Sequence, residues 1–404
     1  MGQRNTLTIP YSCIQAPYWM SLCVFMGFTA VYLHYLGYDN SETGLVLALG
    51  TLLGSVSGPF LASLIDKSAG GRITAFSLMP AVLLTEAAAL VMLLLFPQKG
   101  FVTSAVYPLF IAVATSVNTL DLRMYTDAVY SGRDIDFGIA RGCGSIGYVL
   151  MSFLLGELCE SSSPVMIPAA GLIICAVQFA AFLNYSYRFK RGEGSEKAWQ
   201  TGKGTDEKGS YSVWAFLRRN RNFSMLLAGT ILIFYSHNVL CSFFINVVEN
   251  VGGSVGDMGI LNGLMALFET PVVLFYSRIT KHRKTSSVLI FSFVMFSIKA
   301  AAVAAAASVI QLGAALILQA PSFGLYTGAI VLYTDETIAY EDSAKAQSLA
   351  FTMTMIATVI ASIAAGRQFD VISTGTVMWI SCGVCIAGTI IACLGVLKER
   401  HLRS

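Results

Sequence analysis

Long apolar runs separated by short polar breaks set the pattern of the chain. As a helix, about 20 apolar residues cross ~30 Å of hydrocarbon. Twelve runs meet that length, near 15–36, 43–65, 73–96, 101–127, 138–157, 164–187, 222–247, 256–279, 286–308, 311–335, 346–366 and 375–397. Between the sixth and seventh lies a long polar segment, Arg188 to Arg221, containing GEGSEKAWQTGKGTDEKGS. Its Gly, Ser, Lys and Glu content predicts a flexible tether. The pattern therefore predicts an all-α membrane protein in two parts: a six-helix bundle over 1–187, a linker over 188–221, and a second six-helix bundle over 222–404.

Composition agrees and removes alternatives. The chain is 55% apolar and 12% charged, with a mean hydropathy of +0.67, far from the balance of a soluble domain. The net charge of +3 gives no footprint for nucleic acid, so the bilayer and a small solute are the expected partners. The placement of the cations carries more information. Arg4, Lys67, Arg72 and Arg133, those between Arg188 and Arg221, then Arg278, Lys281, Arg283, Lys284, Lys345, Lys398, Arg400 and Arg403 all fall on one side of the predicted membrane; only Lys99 and Arg367 fall on the other. The positive-inside rule then puts both termini and the linker in the cytoplasm, with the chain as a multi-pass protein of the cytoplasmic membrane. Met1 to Ser12 is polar and followed by a run long enough to remain as a span, so no cleavable signal is expected. The cysteines fall in apolar runs and read as small packing residues, Cys382 and Cys385 included.

Charges inside the spans are the candidate chemistry, because a lone charge in hydrocarbon costs at least ~2.5 to 3.5 kcal/mol and is expected to face a cavity or a partner. Asp121 and Arg141 lie equally far in sequence from a turn near Ser131, so an antiparallel hairpin brings them to one depth. Arg141, Ser145 and Tyr148 share a helix face at i, i+4 and i+7, and Asn118 and Asp121 share a face of the preceding helix. With Asn262, and with Trp19 and Tyr326 as aromatic liners, they are expected to bind a hydroxylated or anionic solute. In the second half, Glu269 and Lys299 fall within roughly 6 Å of one depth at 1.5 Å per residue. They are expected to act as a coupled pair that takes up and releases a proton as the cation approaches or withdraws. His237, in Tyr235-Ser236-His237-Asn238, is a third candidate for carrying a proton. Arg123 and Asp127, at i and i+4, read as an interfacial pair. Glu86 has no evident partner.

Local motifs add a resemblance. Asn40-Ser41-Glu42-Thr43-Gly44, Gly58-Pro59-Phe60-Leu61 and Leu64-Ile65-Asp66-Lys67, then Phe137-Gly138-Ile139-Ala140-Arg141 with Gly144-Ser145-Ile146-Gly147-Tyr148, Glu269-Thr270-Pro271, and Lys345-Ala346-Gln347 ahead of Gly366 resemble the major facilitator superfamily. They are most similar to its lactose permease-like branch of oligosaccharide and nucleoside proton symporters. The resemblance implies twelve transmembrane helices as two pseudo-symmetric bundles around a central cavity, with solute bound near the midplane. It also implies a monomer, and no cofactor other than a proton gradient as driving force. It further implies a gate at Asp66 and Lys67, with Asp335 at a second edge, and gives Arg141 the position of a sugar-binding arginine. The gate loop departs from the family pattern, with Ala62 where a glycine is usual. The family's Lys, His and Glu coupling group of the tenth helix is replaced by Gln319, Ser322 and Leu325, while Lys299 stands at the position of its ninth-helix arginine.

The leading expectation is a secondary active transporter, working by alternating access as a proton symporter for a sugar, nucleoside or aromatic acid. The alternatives are an efflux antiporter of the same superfamily and a non-transporting sensor. An enzyme is not expected: the sequence holds no H-E-x-x-H, G-x-S-x-G or acidic metal motif, and no Walker A loop for ATP-driven pumping.

Overall fold

A computed structural model describes residues 7–68, 73–191 and 212–403. Arg4, Arg72 and most of the predicted linker lie outside them. Among the described residues eleven helices are long and apolar enough to cross a membrane, and a bent pair supplies a twelfth. The expected number of spans is therefore found.

The chain divides by contacts into two units: Met1–Tyr38 with Leu49–Asp206, and Asp39–Ala48 with Glu207–Ser404. The division falls in the predicted linker, but the first turns of the second span group with the later half. The helix before the linker runs on to Arg191, and a short one, Val213–Arg219, forms near the linker's end.

In the first unit the helices are α1 (Thr8–Leu22), α2 (Thr29–Tyr35), α3 (Asn40–Lys67, whose tip groups with the second unit), α4 (Ala75–Leu95), α5 (Phe101–Tyr130), α6 (Phe137–Ser161) and α7 (Met166–Arg191). α1 and α2 form one span bent by 47°. The bend follows a π-helical turn at Cys23–Gly27, a recognised cause of sharp kinks. Without a hydrophobic drive between helices in lipid, close packing depends on small residues. Gly147 shows why: a Cβ there would sit 2.9 Å from the carbonyl oxygen of Ala16, so α6 lies directly on α1. Asp136 starts α6 by accepting from the Ile139 N–H at 3.0 Å, an N-cap that satisfies one orphan donor. Large apolar side chains such as Phe60, Leu84 and Ile173 remain exposed, as a lipid-facing surface requires.

In the second unit α8 (Val213–Arg219) leads into α9 (Arg221–Ser242), α10 (Phe244–Asn250), α11 (Val255–Leu274), α12 (Tyr276–Thr280), α13 (Thr285–Ala304), α14 (Val309–Leu316), α15 (Leu325–Thr337), α16 (Tyr340–Val371) and α17 (Thr374–Arg403). α9 and α17 cross closely because Gly388 lacks a side chain; a Cβ there would meet the Gly229 carbonyl oxygen at 2.8 Å. The tenth span is irregular, passing from α14 through a 3₁₀ turn at Ile317–Gln319 and a π turn at Ala320–Gly324 before α15. Pro321 has no N–H to give the ladder, and Ser292 Oγ on α13 donates to the Ser322 carbonyl at 2.8 Å, meeting the need for internal satisfaction of backbone in a bilayer. Within this unit Asp370, near the end of α16, accepts hydrogen bonds from the backbone N–H groups of Asn40 and Ser41 at 3.0 and 2.8 Å and from both their side chains. The carboxylate thus holds the start of α3, where a helix favours negative charge.

Candidate functional site

The second unit brings three ionisable side chains and one amide together from four spans. Lys299 on α13 is 2% exposed. Its Nζ donates to Gln319 Oε1 at 2.8 Å and lies 3.2 Å from His237 Nδ1 on α9. An ammonium can only donate, so Nδ1 accepts and the ring proton belongs on Nε2, where the Cys241 sulfur stands 3.7 Å away. Gln319 then turns its other end outward: Nε2 donates to Glu269 Oε2 on α11 at 3.2 Å. Each bond to a charged group contributes about 1.5–3 kcal/mol, so two of them match the lenient insertion cost of the buried ammonium.

To the expected pairing of Glu269 with Lys299 the structure adds an amide that touches both residues. Gln319 reaches both because the tenth span tightens into its 3₁₀ turn at that residue. A glutamine is suited to the position, since its oxygen accepts from the cation while its amide donates to the carboxylate. Around the network, Phe323, Phe296 and Phe234 enclose the imidazole, with centroids 5.1, 5.7 and 5.9 Å from it. Ser236, His237, Leu240, Phe296, Lys299 and Cys385 help line a cavity of about 10 Å³ beside it, roughly the room of one water.

In the first unit Arg141 does not meet Asp121 as expected. Its guanidinium carbon stands 3.7 Å from the centre of the Trp19 ring, and its Nη1 donates to Ser145 Oγ at 2.7 Å. Asp121 is fully buried, and neither carboxylate oxygen accepts a hydrogen bond. Asp121 stands nine residues before the end of α5 and Arg141 four residues after the start of α6, so their depths differ by roughly 7.5 Å at 1.5 Å per residue, and the arginine is drawn instead to an aromatic face on α1, where cation–π attraction adds to its bond with Ser145. A polar chain supports Trp19 from below: Trp19 Nε1 donates to Gln15 Oε1 at 3.3 Å, Gln15 Nε2 to Tyr11 Oη at 3.2 Å, and Tyr11 Oη to the Asp121 carbonyl at 3.2 Å. The signal for it was in the sequence, because positions 11, 15 and 19 form a stripe at helical spacing. Asn118 is exposed, Tyr148 half-buried, and Asn262 buried on α11 in the other unit. Glu86 finds a partner that sequence did not offer, accepting from Ser21 Oγ at 2.8 Å.

The residues expected to form a gate lie at or near helix ends. Asp66, exposed near the end of α3, pairs with Arg123 Nη1 at 3.0 Å, and Arg123 Nε lies 3.2 Å from Asp127. The i, i+4 pair of the sequence is therefore part of a three-residue cluster that includes Asp66. Lys67 is exposed beside it. Asp335 accepts from Gln347 Nε2 at 2.7 Å and from the Ser343 hydroxyl.

The family model for the MFS_1 like family matches residues 16–380. No curated protein sequence matches the chain. Among solved structures, the nucleoside transporter NupG is similar with a TM-score of 0.76 at 17% identity, covering 98% of this chain and 100% of that one. A variant of NupG gives 0.77 at 15% identity, covering 96% and 99%. The POT family transporter PepTSo gives 0.72 at 10% identity, covering 97% and 98%.

Proposed function

The chain belongs to the MFS_1 like family, and on that premise we propose that it moves a small polar organic solute, such as a sugar, nucleoside or aromatic acid, across the cytoplasmic membrane by alternating access coupled to proton entry. The termini are assigned to the cytoplasm by the distribution of Lys and Arg.

The observation that carries this reading is the line Lys299–Gln319–Glu269. When Glu269 takes a proton it ceases to be an anion, and the Gln319 amide loses a charged acceptor. Lys299 is then a buried cation with only neutral acceptors, His237 Nδ1 and Gln319 Oε1. That state is costly in a low-dielectric interior, and a solute hydroxyl or carboxylate that accepts from Nζ relieves it. Protonation and solute binding are thereby linked, which is what symport requires. Arg141, Ser145 and Tyr148, with Asn118 and the Trp19 face, are the recognition groups assigned to the first unit. Planar rings and hydroxyls suit that set, since Trp19 offers a stacking surface and Arg141 a donor fork.

Reconstituted protein given an inward proton gradient and a panel of labelled sugars, nucleosides and carboxylates tests the reading. Accumulation of one class with external alkalinisation supports it. Solute release from preloaded vesicles on the same gradient, with no uptake, would instead favour an antiporter.

A further inference from the structure

We propose that the turn between α11 and α13, residues 275–284, is a docking site for the headgroup of an anionic phospholipid.

The segment from Phe275 to Lys284 contains Arg278, Lys281, His282, Arg283 and Lys284 and no acid, and all five basic side chains are exposed. Their backbone is held in place: the N–H groups of Arg278, Arg283 and Ser287 donate to the carbonyls of Phe275, Thr280 and Lys284 at 3.0, 2.9 and 2.9 Å. Elsewhere Arg123 meets Asp66 and Asp127, and Arg219 meets Asp342. Among the described residues none of the four Lys and Arg side chains of this turn has a carboxylate within ion-pair reach. Glu336 on α15 does come up to the end of the turn, where its Oε1 accepts from the Thr285 hydroxyl at 2.6 Å. Beside the charges lie Leu274, Phe275 and Ile279, which are 44, 47 and 50% exposed, and the Arg278 guanidinium carbon stands 5.6 Å from the centre of the Phe275 ring.

Four like charges within seven residues repel one another unless counter-charges stand among them. The bias of cations to one side of a membrane accounts for their presence there but not for the lack of acids. The turn joins two spans, so it lies where hydrocarbon gives way to headgroups. Exposed apolar side chains at that level enter the acyl boundary while Lys and Arg reach for phosphate. A free phosphate would meet the cations but leave Phe275 and Ile279 in water. A zwitterionic lipid would cover them, but its own cation offsets its phosphate. A lipid whose headgroup is a net anion satisfies both, at roughly fivefold in affinity for each Lys or Arg that it reaches.

Native mass spectrometry of the whole protein in detergent, titrated with phosphatidylglycerol or with phosphatidylcholine, tests this without any transport assay, so its outcome is separable from that of the symport reading. Phosphatidylglycerol is expected to bind at least about tenfold more tightly. The preference should vanish in the triple variant Lys281→Gln, Arg283→Gln, Lys284→Gln. It should persist in Lys190→Gln, Lys398→Gln, Arg400→Gln, which removes equal charge from exposed positions elsewhere. Melting curves close to wild type show that both variants fold. The proposal is overturned if the wild-type protein has no preference for phosphatidylglycerol, if the first triple variant keeps it, or if the second loses it equally. It is also overturned if inorganic phosphate at the same concentration displaces the lipid, which would make a soluble anion the occupant.

Discussion

Lys299 and Gln319 are joined by a 2.8 Å hydrogen bond between the ninth and tenth spans, and the amide of the same glutamine reaches Glu269. The tenth span brings an uncharged residue to the position where the family resemblance leads one to look for ions. On the proposed reading, coupling runs through an amide that is polarised from both ends.

Gln319→Leu removes both bonds while keeping the volume nearly constant. Each bond to a charged group is worth about 1.5–3 kcal/mol, so proton-driven accumulation is expected to fall at least about tenfold, with solute exchange at equal pH on both sides far less affected. Parallel uptake and counterflow assays in proteoliposomes make the comparison. Equal loss in both would assign Gln319 to solute binding instead.

Trp19→Ala takes away the ring that faces Arg141. Cation–π attraction of about 0.5–2 kcal/mol corresponds to a rise of roughly 2- to 30-fold in the solute Kd, and Trp19→Phe should recover most of it. Arg141→Lys is not expected to substitute, because an ammonium lacks the planar fork. Tryptophan fluorescence or calorimetric titration with the transported solute provides the readout.

How much could be read in advance divides by physical cause. Span lengths and the halves follow from the hydrophobic runs, because an apolar helix in lipid needs a fixed length regardless of its neighbours. Depth was legible only in part: the connection between α5 and α6 runs from Ser131 to Asp136 rather than centring on Ser131, which leaves Arg141 nearer its helix end than Asp121. Azimuth was not legible, since one residue rotates a helix face by about 100°. Arg141 turns to Trp19 for both reasons. The sequence shows Gln319 only as a replacement within the family's coupling group, because its reach depends on the 3₁₀ and π turns around Pro321, a local break that the apolar run conceals. The grouping of Asp39–Ala48 with the second unit rests on the bonds of Asn40 and Ser41 to Asp370, a tertiary contact without local signature.

Gly147→Val tests the helix contact that holds the Arg141 platform in place. With the Ala16 carbonyl 2.9 Å from where a Cβ would stand, and backbone unable to yield as a flexible side chain would, the cost should be about 1–3 kcal/mol. A lowered melting temperature in detergent is the expected outcome, whereas Gly142→Ala on the same helix, where a Cβ meets nothing within 4 Å, should leave it unchanged or slightly raised.

Asp66→Asn addresses the gate. Its partner Arg123 is 33% exposed at the side chain and Asp66 itself 50%, so solvent screening limits the stability effect to less than about 1 kcal/mol. The melting temperature should therefore hardly move. A severalfold lower transport rate at unchanged solute affinity is the expected signature of a group that times conformational exchange; a rate equal to wild type would leave the cluster as surface electrostatics.

The central claim, that Glu269 is where a proton acts on the buried Lys299, is tested most directly by Glu269→Gln. The variant is locked in a neutral state that keeps a hydrogen-bonding end toward Gln319. Reconstituted under an inward proton gradient, it is predicted to exchange labelled solute across the membrane but not to accumulate it, and to produce no external alkalinisation when solute is added. Accumulation and alkalinisation at the wild-type level would contradict the assignment.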